Sequence, residues 1–146
     1  MLNGQCLCGS VQFQIELNDV EMIYQCHCSL CRKQSGTHAN HATMIKAELL
    51  HWKDGIDCIK TYKKDTGFTS AFCQNCGSPV PNRIGQQPYM WIPLGLIDSV
   101  IKPQQRLDFC MASQASWKHT DANASYAELP NWDALKQLFK LDAEES

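Results

Sequence analysis

Seven of the nine cysteines fall into three tight groups: Cys6 with Cys8, Cys26 with Cys28 and Cys31, and Cys73 with Cys76. Thiolates at such spacing suit Zn²⁺, which takes four ligands in structural sites and three plus a water or substrate atom in catalytic ones. Seven thiols do not divide evenly into tetrahedra. They divide into a closed four, which is a structural staple, and an open three, which leaves a position where chemistry can happen. Other uses of cysteine fit less well. A disulfide framework would strand one of nine thiols and needs an oxidising compartment. A thioredoxin-type CxxC opens a helix, whereas Cys76 is followed by Gly77, Ser78, Pro79 and Pro81, which bar one.

The CxxC with its trailing Gly77 has the form of a zinc knuckle, in which turn amides face the thiolates and glycine permits the tight backbone. Zinc sites commonly combine two cysteine pairs from separate turns, and Cys6 with Cys8 is the natural second pair. The CxCxxC within QCHCSLCRKQSG is the sharper pattern. Three thiolates leave one dication with a net charge of about −1, which weakens its Lewis acidity, yet coordination still deprotonates a thiol outright. Arg32 and Lys33 follow directly and serve either as solvated surface charges or as anchors for a ligand's carboxylates. His27 could complete a tetrahedron, but an extended segment directs it away from Cys26 and Cys28. His38 and His41 have a spacing usable for metal or acid–base work, with no recognisable carboxylate to orient them. Cys58 and Cys110 sit in apolar runs and read as core thiols, and Trp91 and Trp117 as core or pocket-wall residues. No Gly-rich phosphate loop, serine triad or paired-carboxylate signature is present.

Strands must carry these groups. Val11, Phe13, Ile15 and Leu17 alternate with polar residues, the period of a strand with one buried face. Further strands are predicted at Met22 to Gln25, Ala42 to Ile45, Cys58 to Tyr62, Phe68 to Phe72, Tyr89 to Leu94 and Leu107 to Ala112. Cys6 and Cys8, flanked by Gly4 and Gly9, belong on a turn. SLCRKQS predicts a short helical turn capped by Ser29 and stopped by Gly36, which returns Cys31 toward Cys28. A C-terminal helix over about 131–143 starts at Asn131, and its Leu135, Leu138 and Phe139 predict packing on the sheet.

The 146 residues predict a single domain, 1–146. A net charge of −2 and a pI near 6.2 exclude a basic polyanion binder. The start MLNGQCLCGSVQF lacks the basic, apolar build of a signal peptide, and no run has the length of a membrane span. These features predict a soluble cytoplasmic protein with no nucleic-acid or membrane partner.

Taken together, CLCGSVQF, CHCSLCRKQSG and FCQNCGSPV resemble the family of glutathione-dependent formaldehyde-activating enzymes and the related centromere-protein-V-like proteins. The resemblance runs from Cys6 to about Trp117. It implies a mainly β fold of zinc-stapled, curved antiparallel sheets, the β-tent. It implies a structural zinc on Cys6, Cys8, Cys73 and Cys76, and a more labile active-site zinc on Cys26, Cys28 and Cys31. The implied activity is that of a carbon–sulfur lyase acting in the condensing direction, joining glutathione and formaldehyde as S-hydroxymethylglutathione, with Arg32 or Lys33 gripping a glutathione carboxylate. Many members carry Arg three positions before the CxxC and His near the start of the last strand, where this chain has Ser70 and, approximately, Arg106. The alternative is a non-catalytic zinc module, or a thiol-based redox sensor, on the same fold.

Overall fold

The computed structural model describes residues 1–118 and 122–141. Ten strands form three sheets: β1 (Leu2–Gln5), β2 (Gln12–Ile15), β3 (Met22–Cys26), β4 (Asn40–Lys46), β5 (Leu50–Asp54), β6 (Ile59–Lys63), β7 (Thr69–Cys73), β8 (Asn82–Arg83), β9 (Tyr89–Pro93) and β10 (Gln105–Phe109). The sheets have the orders β1-β2-β5, β10-β3-β4-β9-β8 and β6-β7. All pairs are antiparallel except β10 with β3, which runs parallel and sets Phe109 opposite Cys26. Helices are few and short, α1 (Ser29–Ser35) and α2 (Trp132–Phe139). The fold is thus mainly β, as the cysteine-rich, strand-punctuated sequence predicts.

Alternation drives the packing. Phe13 and Ile15 of β2, Ile23 of β3, Ile45 of β4 and Ile92 of β9 close into one core cluster. Burial of each such side chain stabilises the fold by about 1.5–3 kcal/mol. A second, smaller cluster joins Cys6, Val11, Ala71, Cys73 and Val80. It places two thiols at the seam between the first sheet and the β6-β7 hairpin.

Three strands lay outside the sequence prediction, and each has a weak alternation signal. β1 offers only Leu2 and Gly4 to the interior, β5 half-buries Leu50 and Trp52 among polar neighbours, and β8 is two residues long. The predicted strand through Ala112 ends instead at Phe109. Cys110 takes a left-handed backbone, φ 59°, and caps a 3-10 turn at Met111–Ser113. α1 is capped by Cys28 rather than Ser29, because the Cys31 amide donates to Cys28 Sγ at 3.3 Å, and Gly36 closes it at φ 70°. Asn131 caps α2 as predicted, its Oδ1 accepting from the Ala134 amide at 2.9 Å. The expectation that α2 packs on the sheet is overturned, for no residue of this helix is buried and Phe139 is 72% exposed. Positions 142–143 of the predicted helix lie outside the described residues.

Gly55 shows how the fold supports the thiols. It turns the chain after β5 at φ 79°, and a Cβ there would drive into the carbonyl of Ser10. Ser10 in turn faces Cys8, with Oγ 3.2 Å from Cys8 Sγ, and accepts from Asn75 Nδ2 at 3.2 Å. Gly55→Ala combines a left-handed penalty of about 1–2 kcal/mol with that clash. It is expected to lower stability by at least about 2 kcal/mol in urea unfolding; an unchanged midpoint would contradict the close packing.

Candidate metal centres and cavity

The first thiol group is built from two matched turns. After β1, the Cys6 amide donates to the Val11 carbonyl at 3.0 Å and the Gly9 amide to the Cys6 carbonyl at 3.1 Å, while the Val11 amide donates to Cys6 Sγ at 3.3 Å. After β7, the Gly77 amide donates to the Cys73 carbonyl at 2.7 Å. Gly9 at φ 80° and Gly77 at φ 79° take the left-handed conformation that closes each turn. The Sγ atoms of Cys6, Cys8, Cys73 and Cys76 all lie within 4.8 Å of one another.

Those spacings test whether Zn²⁺ fits. Sulfurs about 2.3 Å from one tetrahedral ion sit about 3.8 Å apart. Cys6 and Cys8 Sγ are 3.7 Å apart, and Cys8 and Cys73 Sγ 3.8 Å. The donor chemistry and the spacing both match. The acidities are unequal across the group. The Ser78 hydroxyl and amide bring Cys76 down to about 5, hydrogen bonding from Ser10 lowers Cys8, and desolvation pushes Cys73 up to about 11. Crowded thiols cannot all ionise without a cation.

The second group comprises Cys26 at the end of β3, Cys28 at the cap of α1 and Cys31 within it, again with all Sγ atoms inside 4.8 Å. The turn of α1 brings Cys31 back to Cys28, as its spacing predicts. Burial raises Cys31 and Cys26. Burial also opposes ionisation of Cys28, but the Cys31 amide and the neighbouring thiols outweigh it and lower that group. Gln34 fixes the helix. Its Nε2 donates to Ser70 Oγ at 2.9 Å, and its Oε1 accepts from Asn40 Nδ2 at 2.7 Å.

Cys26 and Cys31 open onto a cavity of about 500 Å³, within the size range of small-molecule sites. Tyr24, Met44, Phe68, Trp91 and Phe109 make its walls largely apolar, so Trp91 is a wall residue, one of the two roles open to it from sequence. Gln34, Asn82 and Arg83 supply polar groups. Tyr24 is raised well above the usual phenol range by burial and by the nearby Cys31 and Cys26, so it stays a neutral hydroxyl. Arg32 is half-buried with its Nε lacking a partner, and Lys33 is exposed; neither is among the wall residues, whose cation among the described residues is Arg83.

His27 points away from the thiols, as its place in an extended segment predicts. It is fully buried, with Nε2 2.9 Å from Asp108 Oδ1. Asp108, which sequence reasoning missed because it lies 81 residues away, is lowered chiefly by this hydrogen bond. His38 lies between His27 and His41 at ring separations of 5.7 and 5.8 Å, tilted against the first ring and edge-on to the second, and it also meets Trp117 edge-on. Burial lowers His38. None of the three histidines belongs to either thiol group. The core-thiol expectation is half met: Cys58 is half-buried, whereas Cys110 is exposed on the cavity wall with Sγ 3.9 Å from Cys26 Sγ.

The family model for the glutathione-dependent formaldehyde-activating enzyme matches residues 1–113. The chain belongs to this family. A Halomonas elongata protein named "Putative glutathione-dependent formaldehyde-activating enzyme" is 26% identical over 128 residues, spanning 80% of this chain and 79% of that protein. The crystal structure of a Rhodobacter sphaeroides protein superposes with a TM-score of 0.53 at 23% identity, covering 67% of this chain and 89% of that one. That likeness concerns the fold. No helix among the described residues is long and apolar enough to cross a membrane.

The His27–Asp108 pair generates a direct test. Asp108→Asn replaces a carboxylate acceptor beside a fully buried ring and is expected to destabilise the protein by about 1–3 kcal/mol. Thermal unfolding would register this, and an unshifted transition would show that the pair contributes nothing.

Proposed function

We propose that this chain is a zinc-dependent carbon–sulfur lyase of the formaldehyde-activating type, which joins the thiol of glutathione to formaldehyde. The observation that supports it most is the unequal division of the thiols. Four meet at a seam between sheets, and of the other three Cys26 and Cys31 border a cavity large enough for a tripeptide thiol. On this reading Cys6, Cys8, Cys73 and Cys76 hold a structural zinc, and Cys26, Cys28 and Cys31 hold the active-site zinc.

A zinc ion on the three cysteines would supply the charge that ionises a thiol and polarises a carbonyl. The protein's own groups do the rest. In the reaction the thiol gives up its proton as a sulfur–carbon bond forms, the carbonyl π pair moves onto oxygen, and that oxygen takes up one proton in place of the one the thiol lost. Tyr24, kept neutral beside Cys26 and Cys31, offers a hydrogen bond to the oxygen as its charge develops. The walls of Met44, Phe68, Trp91 and Phe109 exclude water and hold the two reactants together, so a bimolecular addition gains the advantage of proximity. Arg83 on the wall and Arg32 and Lys33 on α1 anchor the glutathione carboxylates.

The purified protein is expected to bind two zinc ions and to accelerate consumption of formaldehyde only when glutathione is present. Cys28→Ser should leave a folded chain with one zinc and no activity, while Cys73→Ser should yield unfolded protein, because a structural zinc contributes folding free energy directly. Global unfolding of Cys28→Ser would reverse the assignment of the two centres. Replacing Arg83, or Arg32 together with Lys33, by Ala should raise KM for glutathione with kcat largely kept, the signature of lost ground-state binding; unchanged KM in both variants would remove these cations from the site.

A further inference from the structure

We propose that this site also takes aldehydes larger than formaldehyde, ones that bear an alkyl or aryl substituent, and that the apolar wall of the cavity receives that substituent. The inference rests on the reading of the site as one that joins the glutathione thiol to a carbonyl, and it names a further class of that carbonyl.

The five-stranded sheet carries the argument. Successive residues of a strand alternate between its two faces, and Ile23 of β3, Ile45 of β4 and Met90 and Ile92 of β9 all enter the core cluster. An antiparallel sheet that packs one face on a core ordinarily turns polar side chains outward on the other. Here the outward positions on the cavity wall are Tyr24 and Cys26 of β3, Met44 of β4 and Trp91 of β9. Met44 pairs directly with Trp91, and Tyr24 pairs with Ala42, two residues before Met44 on the same face. Phe109 of β10 stands opposite Cys26 and sets its ring 4.9 Å from that of Tyr24. An apolar surface therefore runs unbroken across four neighbouring strands and starts beside the thiols. Phe68, just before β7, walls the same cavity.

Core packing does not account for these side chains. Tyr24, Met44, Trp91 and Phe109 belong to neither core cluster, and Met44 remains 52% exposed. The polar groups of the wall are largely committed within the protein. Gln34 binds Ser70 and Asn40, and Asn82 Nδ2 donates to the Thr69 carbonyl at 3.0 Å and to its hydroxyl at 3.1 Å. Neither reactant named so far uses the apolar row. Formaldehyde has no substituent, and the carboxylates, ammonium and amides of glutathione lose hydration against such a wall without gaining partners. A hydrocarbon group on the carbonyl carbon gains there, by about 4-fold in binding for each methylene fully buried. The chemistry is otherwise unchanged. The thiol loses its proton as the sulfur–carbon bond forms, the carbonyl π pair moves to oxygen, and that oxygen takes up one proton. The product is a hemithioacetal, and no oxidant or reductant is needed.

The test titrates the zinc-loaded full chain with two stable thioethers, S-methylglutathione and S-hexylglutathione, in a calorimeter. The hexyl compound is expected to bind at least about 10-fold more tightly, a fraction of the full methylene increment. Trp91→Ala should cut that ratio several-fold, and Met44→Thr, at a half-exposed strand position, should do the same if the tryptophan variant fails to fold. With glutathione present, hexanal should be consumed with a higher kcat/KM than propanal. Equal binding of the two thioethers, a ratio unmoved in the folded variants, or tight binding of the hexyl compound with no consumption of hexanal would overturn the inference. Each of these leaves glutathione-dependent consumption of formaldehyde standing. A protein that binds neither thioether nor glutathione itself would overturn that reading too.

Discussion

The meeting of four thiols at one point is the constraint on which the rest of the structure depends. Cys6 and Cys8 come from the turn between β1 and β2, and Cys73 and Cys76 from the turn after β7, so the cluster ties the first sheet to the β6-β7 hairpin. The apolar cluster beside it is small, comprising Val11, Ala71 and Val80 together with two of the cysteines themselves. Dispersion and burial alone give that seam little. Four sulfurs repel one another as thiolates and attract strongly once they share a cation, so a metal ion held there would turn a weak seam into a fixed joint.

From that joint the geometry passes to the cavity. β7 leads into the four-thiol turn, and its Ser70 accepts from Gln34 of α1, which also binds Asn40 of β4. The short helix that carries Cys31 is thereby held between β7 and β4, although it buries none of its own residues. A seven-residue helix has no stability of its own in water. Its position is supplied by these side-chain bonds, by the Cys28 cap and by the left-handed Gly36.

The two centres differ in surroundings as much as in ligand number. Around Cys76 and Cys8, serine hydroxyls and turn amides favour the charged thiolate. Around Cys31 and Cys26, burial favours the neutral thiol. Each group is also mixed, for desolvation raises Cys73 in the first and hydrogen bonding lowers Cys28 in the second. Cys26 and Cys31 lie against a cavity wall that carries Tyr24, Phe68, Trp91 and Phe109.

What the sequence determined by itself was everything that depends on local spacing. The three cysteine groups, the turn glycines, the period-two alternation of Val11, Phe13 and Ile15, and the Asn131 cap are all short-range patterns. The tertiary structure alone decided which distant residues share a site. Asp108 reaches His27 across 81 positions, Ser70 holds Gln34 across 36, and Cys110 comes to Cys26 across 84. Two of these pairings follow from β10 lying parallel to β3, a long-range pairing that no local period encodes. Cys110 was read as a core thiol because its neighbours are apolar; a single left-handed φ made it a cavity residue instead. Likewise, the apolar stripe of α2 predicted packing on the sheet, yet that face is left exposed, because a stripe states what a helix could bury and only the fold states whether a surface is there to meet it.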